Sequence, residues 1–188
     1  MPEAATRNPP PVPAAPWLKA LPPALRYILH GGTAARAAAA AIWGAAFADQ
    51  ACRAVVRGSR ATLWLGPDEY LLLEGAGAAS SAAADLETAE SLERTLGAIP
   101  HALVDVSHRQ FALELCGPHA ARILSGGCPL DLDLREFPVS MCTRTVFAKA
   151  DIVLWRTGEE TFHLEVWRSF AGYVTGLLRD IALEYTGE

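Results

Sequence analysis

The stretch Met141-Cys-Thr-Arg-Thr-Val-Phe-Ala-Lys149, continuing through Ala150-Asp-Ile-Val-Leu-Trp-Arg-Thr-Gly158 to Thr161-Phe-His-Leu-Glu-Val-Trp167, predicts three β-strands in succession. Phe162, Leu164 and Val166 alternate with His163, Glu165 and Trp167, the period of two that sends successive side chains to opposite faces of a sheet. Thr157-Gly158-Glu159 supplies the turn between the last two strands, and so short a turn makes them antiparallel. Beyond Trp167, Ser169 stands as a helix cap. Phe170, Tyr173, Val174, Leu177, Leu178 and Ile181 then form the apolar stripe of a final helix.

The same alternation of strands and helices extends upstream. His101 to Val106 and Gln110 to Leu115 predict two short strands joined near Ser107-His108-Arg109, followed by a helix that opens at Gly117-Pro118 and stops at Gly126-Gly127. Residues 82–97 carry Leu86, Ala89, Leu92 and Leu96 at helical spacing, and residues 52–74 read as β structure with a turn at Gly66-Pro67-Asp68. Arg26-Tyr-Ile-Leu-His30 is a further strand, after which Thr33 is placed to cap an alanine-rich helix over 34–47. The order predicts an α+β fold of antiparallel sheets covered by helices, in two loosely similar halves. Residues 24–188 form one domain on this reading. Residues 1–23, rich in proline, form a flexible arm. A disordered leader is the plain reading of such an arm; the alternative is that Trp17, Leu18 and Leu21 give it apolar anchors for a neighbouring subunit.

With 188 residues, 51% of them apolar, the chain is long enough for a substantial core. Its net charge of -5 argues against a nucleic-acid binder, which needs a basic surface to replace phosphate counterions. The four cysteines, Cys52, Cys116, Cys128 and Cys142, form no C-x-x-C pair, and no charged start precedes an apolar signal core. Reduced thiols and a cytoplasmic location are the expectation. No membrane association is expected, because the most weakly polar stretch, from Ala34 to Ala48, is broken by Arg36 and Gly44.

Few residues offer chemistry. No two of His30, His101, His108, His119 and His163 stand at a metal-ligand spacing. Asp105, Ser107 and His108 invite comparison with a catalytic triad, but on an extended strand Asp105 and Ser107 share a face that His108 does not. A turn held by side-chain bonds to the backbone is the reading adopted. His30-Gly31-Gly32 lacks the G-x-S-x-G motif that would accompany an esterase oxyanion loop, and Gly75-Ala-Gly77 lacks the third glycine of a dinucleotide fingerprint.

A set of phrases nevertheless resembles a known family. Trp64-Leu-Gly-Pro-Asp-Glu69, Val104-Asp-Val-Ser-His-Arg109, Gly117-Pro118, Gly127-Cys-Pro-Leu-Asp131, Thr145-Val-Phe-Ala-Lys149, Ile152-Val-Leu-Trp-Arg156 and Val166-Trp-Arg-Ser-Phe170 are similar to the gamma subunits of heterotetrameric sarcosine oxidases. More distantly, the chain resembles the folate-binding aminomethyltransferases of glycine cleavage. The resemblance covers residues 60–183, and the segment 1–58 departs from it. It implies an aminomethyltransferase-like fold in a non-catalytic subunit of a complex that demethylates sarcosine oxidatively to glycine. The implied partners are alpha, beta and delta subunits. FAD, FMN, NAD, tetrahydrofolate and zinc are then expected on those partners and none on this chain. In the aminomethyltransferases a glycine-rich loop presents a carboxylate to folate. Here the corresponding span, Phe147-Ala-Lys-Ala-Asp-Ile152, has no glycine and keeps Asp151 as its one carboxylate. The alternatives are a folate-dependent one-carbon transferase and a folate-binding accessory or maturation protein.

A subunit without an active site should carry tryptophan and arginine where it docks, since these residues dominate interface energetics. The candidates are Trp155, Arg156, Trp167 and Arg168, with Arg144 and Lys149 as partners for carboxylates and Trp17 on the arm. No catalytic, cofactor-binding or metal-binding residue is assigned.

Overall fold

The computed structural model describes residues 15–75 and 82–186. Among these residues, ten strands and four α-helices follow one another in the order β1 (Leu18–Ala20), β2 (Leu25–Gly31), α1 (Thr33–Trp43), β3 (Ala54–Arg57), β4 (Arg60–Gly66), β5 (Glu69–Glu74), α2 (Ala82–Leu96), β6 (His101–Asp105), β7 (Gln110–Cys116), α3 (Ala120–Ser125), β8 (Cys142–Phe147), β9 (Ala150–Gly158), β10 (Thr161–Trp167) and α4 (Ala171–Thr186). They build two five-stranded antiparallel sheets, one ordered β8-β9-β10-β7-β1 and the other β3-β4-β5-β2-β6.

The layers follow from the period of two. Along β10, Phe162, Leu164 and Val166 face outward onto a core shared with Ile123 and Leu124 of α3 and Val174 and Leu178 of α4. Along β2, Leu25, Tyr27 and Leu29 face Ala35, Ala39 and Trp43 of α1 and Leu92 and Leu96 of α2. The opposite faces meet each other, with Leu63, Leu65, Leu71 and Leu73 of the second sheet packed on Cys142 and Val153 of the first. The molecule is therefore four layers deep: helices, sheet, sheet, helices. The expected α+β class with antiparallel sheets under helices is the class observed.

The two sheets share one topology. Each half runs strand, helix, three-stranded meander, helix: β2-α1-β3-β4-β5-α2 and then β7-α3-β8-β9-β10-α4. The fifth strand of each sheet is exchanged. β1, which precedes β2, pairs with β7, while β6, which precedes β7, pairs with β2. Two four-residue crossovers, 21–24 and 106–109, carry the chain between sheets, and Pro22-Pro23 suits one of them because a crossover has no ladder to supply with N–H groups. The halves meet about an antiparallel bridge between Arg53 and Met141. Flanking it, Ala54 N donates to Ser140 O at 2.8 Å and Cys142 N to Cys52 O at 3.0 Å. Cys52 and Ser140 both sit at positive φ, 58° and 70°, so the local backbone is matched as well.

Several boundaries differ from the sequence reading. The arm expected to end at residue 23 is part of the fold from Ala15 onward: Leu18 is buried in this chain's own core and pairs with Leu115. Its proline-rich portion, residues 1–14, lies outside the described residues. Helix α1 stops at Trp43 rather than continuing to 47, because Gly44 takes a left-handed conformation at φ 80° and its N–H closes onto Ala40 O. Helix α3 begins at Ala120, three residues after Gly117, and a 3-10 turn over Arg168–Phe170 precedes α4. Ser107-His108-Arg109 lies in a sheet-to-sheet crossover instead of joining neighbours within one sheet.

Candidate functional site

The polar centre of the molecule lies between the sheets. Arg26 is on the inward face of β2, since its neighbours Leu25 and Tyr27 face the helices. Only 2% exposed, it donates from Nε to Glu165 Oε2 of β10 at 2.8 Å and from Nη1 to Ala24 O at 2.9 Å. His163 Nε2 lies 2.8 Å from the other carboxylate oxygen, Glu165 Oε1. The carboxylate can only accept, so the imidazole donates. Burial opposes the charge on Glu165, but the His163 hydrogen bond and the Arg26 cation outweigh it and hold the carboxyl below the ordinary glutamate range. A carboxylate held ionised with a donor on each oxygen is poorly placed to shuttle protons. The arrangement joins β2 to β10 and therefore one sheet to the other.

Beside the pair is a cavity of about 310 Å³. It is lined by Arg26, Ala61 and Leu73 of the second sheet, by Ala112, Trp155 and His163 of the first, and by Leu21, Pro22 and Ala24 of a crossover, and its mouth is formed by Gly75 and by the exposed Val56, Gly58 and Ser59 at the β3–β4 turn. The exchanged topology explains the space. Val106 N donates to Arg26 O and Leu21 N to Ala112 O, both at 2.9 Å, so Arg26 and Ala112 hold equivalent positions in the two halves. One position carries a guanidinium that fills the gap, and the other carries a methyl group that leaves it open. Trp155 leans on His163 with ring centroids 5.7 Å apart, and its Nε1 is buried without a hydrogen-bond acceptor among the described residues.

The residues expected at a docking face are not brought together. Arg156 is not on the surface at all. It is 4% exposed, donates to the carbonyls of Leu132, Phe137, Gly158 and Glu159, and lies over the Phe162 ring at 4.7 Å. Its cationic fork ties the loop carrying Leu132 and Phe137 to the β9–β10 turn. Trp155 is half-buried against the inter-sheet cavity. Trp17 is half-buried on the core of its own chain. Arg144 is exposed but engaged, donating from Nη1 to Glu69 Oε2 at 2.6 Å, a hydrogen bond that also lowers the Glu69 carboxyl below its usual value. Lys149 is exposed in the β8–β9 turn, and Arg168 is half-buried in the 3-10 turn. Trp167 is 45% exposed, with the Arg109 guanidinium 5.3 Å from its ring.

Near Trp167 in sequence are two aromatics that the sequence reading assigned to the helix core. Phe170 and Tyr173 are 38% and 42% exposed. The available signal was the spacing of three from Trp167 to Phe170 to Tyr173, which sets these residues apart from the buried Val174-Leu178 stripe.

Asp105, Ser107 and His108 form the expected turn. Ser107 N donates to Asp105 Oδ1 at 2.8 Å, Ser107 Oγ accepts from Arg26 N at 2.9 Å, and His108 is exposed. Asp151 is exposed on β9 opposite Val146. Burial pushes the Cys142 thiol up to about 12. Among the described residues no three His, Cys, Asp or Glu side chains converge as a metal site, and no helix is long and apolar enough to cross a membrane.

Two helix-covered sheets packed face to face define the aminomethyltransferase type of fold: aminomethyltransferase T of the glycine cleavage system from Bartonella henselae superposes with a TM-score of 0.62 at 16% identity, over 86% of this chain and 44% of that one. Within that class, the sequence model of the sarcosine oxidase gamma subunit family matches residues 30–184, and the chain belongs to this family. Its sequence is 37% identical over 137 residues to the sarcosine oxidase subunit gamma of Corynebacterium sp. (strain P-1), covering 71% of this chain and 64% of that protein. Identity to the subunit gamma of Arthrobacter sp. is 34%, over 82% of this chain and 72% of that one. The chain thus spans a little under two thirds of the Corynebacterium relative. A chain of the heterotetrameric sarcosine oxidase from Corynebacterium sp. U-96, solved in complex with pyrrole 2-carboxylate, superposes with a TM-score of 0.80 at 31% identity, over 90% of this chain and 84% of that chain. The family match begins at residue 30, well before residue 60, so α1 and the first meander belong to it.

Proposed function

We propose that this chain is a non-catalytic gamma subunit of a heterotetrameric sarcosine oxidase that oxidatively demethylates sarcosine to glycine. The observation that carries the proposal is the superposition on a chain of such a heterotetramer at a TM-score of 0.80 and 31% identity, over nine tenths of this chain's length (90%). Its partners are the alpha, beta and delta subunits. FAD, FMN, NAD, tetrahydrofolate and zinc reside on them, in the cytoplasm, and none on this chain. The buried charged groups support a scaffolding role, because Arg26, Glu165 and Arg156 each spend their hydrogen bonds on joining sheets and loops. Of the docking residues expected from the sequence, Trp167, Lys149 and Arg144 keep exposed side chains, and Arg168 adjoins Trp167.

The test is affinity capture of the tagged full chain from its native cell. Recovery of a yellow flavoprotein complex with sarcosine oxidase activity is expected. Capture without any flavoprotein would overturn the proposal. Calorimetric titration of the chain with tetrahydrofolate should give no binding heat, whereas binding that is lost in Asp151→Ala would establish a folate-dependent enzyme instead.

A further inference from the structure

We infer that the cavity between the sheets is a binding site for a small, mostly apolar molecule carrying a carbonyl or carboxylate oxygen. Its volume, about 310 Å³, is at the lower end of the roughly 300–1,000 Å³ typical of small-molecule sites. The walls are aliphatic at Leu21, Ala61, Leu73 and Ala112, and an apolar body fits them. The polar groups along the walls are unequal in kind. Glu165 accepts from Arg26 on one oxygen and from His163 on the other, and the Arg26 side chain, which donates from Nε and Nη1, brings its cationic fork to the cavity wall. Trp155 and His163 add ring surface to the wall, and Ser59 brings a hydroxyl to the mouth. A guanidinium at the wall, which can only donate, favours a ligand that accepts. It disfavours one whose polar group is an ammonium, which would meet the outer face of a guanidinium. The cavity is also more than a loose fit of two sheets, because the equivalent position to Ala112 carries Arg26 and shows that a long side chain is accommodated there.

The site is independent of the subunit assignment and is tested on the full chain alone. Ligand-observed NMR with benzoate, benzamide and benzylamine as probes should show the first two binding with dissociation constants on the order of 1 mM, as expected for fragments, and benzylamine not binding. The indole N–H resonance of Trp155, assigned through Trp155→Phe, should move with either acceptor probe. Ala112→Leu fills the space. It should weaken both probes by at least about tenfold while leaving the thermal midpoint equal or higher, because the added methylenes enter a void. If Ala112→Leu does not fold, Leu73→Phe fills the same space from the opposite sheet and takes its place. Failure of both acceptor probes to bind, equal binding of benzylamine, or unchanged binding to the filled variant would overturn the site, whatever the outcome of the capture experiment.

Discussion

Arg26 and Glu165 are 139 residues apart in sequence and meet between two sheets, Nε to Oε2 at 2.8 Å, with their side chains 2% and 0% exposed. Each half supplies one charge of the pair, with His163 and Ala24 O as the uncharged partners from the same half as Glu165 and Arg26 respectively.

Removing one partner should therefore be far worse than removing both. Glu165→Gln leaves a buried guanidinium without its counter-charge and is expected to destabilise by roughly 3 kcal/mol. For a domain of this size that is about 6–12 °C in thermal midpoint. The double variant Arg26→Met with Glu165→Leu should recover most of the loss. Calorimetric scans of the three variants measure it, and equal losses for single and double variants would deny the pair its role.

The same carboxylate sets a dependence on pH. Its folded value lies below the ordinary glutamate value of 4.5, so the stabilisation is complete above that pH and disappears as pH falls from there through the folded value. Urea midpoints measured from neutral pH down into that acidic window should fall more steeply for the native chain than for Glu165→Gln, which has no proton to take up at this position.

Thiol chemistry should divide the cysteines by burial. Cys142, its thiol pushed up to about 12 and donating to Trp64 O, and Cys128, also buried, should resist alkylation of the native chain at pH near 8. Modification should be confined to the half-buried Cys52 and Cys116 until the chain is unfolded. Peptide mapping by mass spectrometry reads the distribution, and rapid native labelling of Cys142 would contradict the packing of the two sheets.

Gly127 tests the close approach of the α3 exit to β8. A Cβ there would lie 2.7 Å from the ring of Phe147, which is fully buried and has no room to withdraw. Gly127→Ala is expected to cost about 1–3 kcal/mol, visible as a lowered denaturation midpoint, whereas alanine at the open position Gly172 in α4 should be neutral or stabilising.

Much of this architecture was legible in the sequence. The alternation along Phe162-Leu164-Val166 and the glycines at 126 and 127 locate strands and breaks because they depend on local geometry alone. The inter-sheet site was not legible, since Arg26, Trp155 and His163 come from three strands whose meeting depends on which sheet each strand joins. Arg156 misled for a related reason. Arginine beside tryptophan suits a docking face as well as it suits a buried position, and only the loop carbonyls of Leu132 and Phe137 decide between them. Tyr173 lies on the apolar face of α4 yet is 42% exposed, because helical periodicity marks such a face without saying how wide the covered part of it is.

The exchange of β1 and β6 bears on ancestry. A polypeptide of half this length, running strand, strand, helix, three-stranded meander and helix, would leave one sheet edge open and its leading strand unpaired. Two copies would cure both defects by trading leading strands. This chain thus has the geometry of a domain-swapped homodimer whose protomers have been fused end to end near Gly97. In that geometry Arg26 and Ala112 occupy one and the same place in the repeated half, and the repeat is broken there in side chain alone.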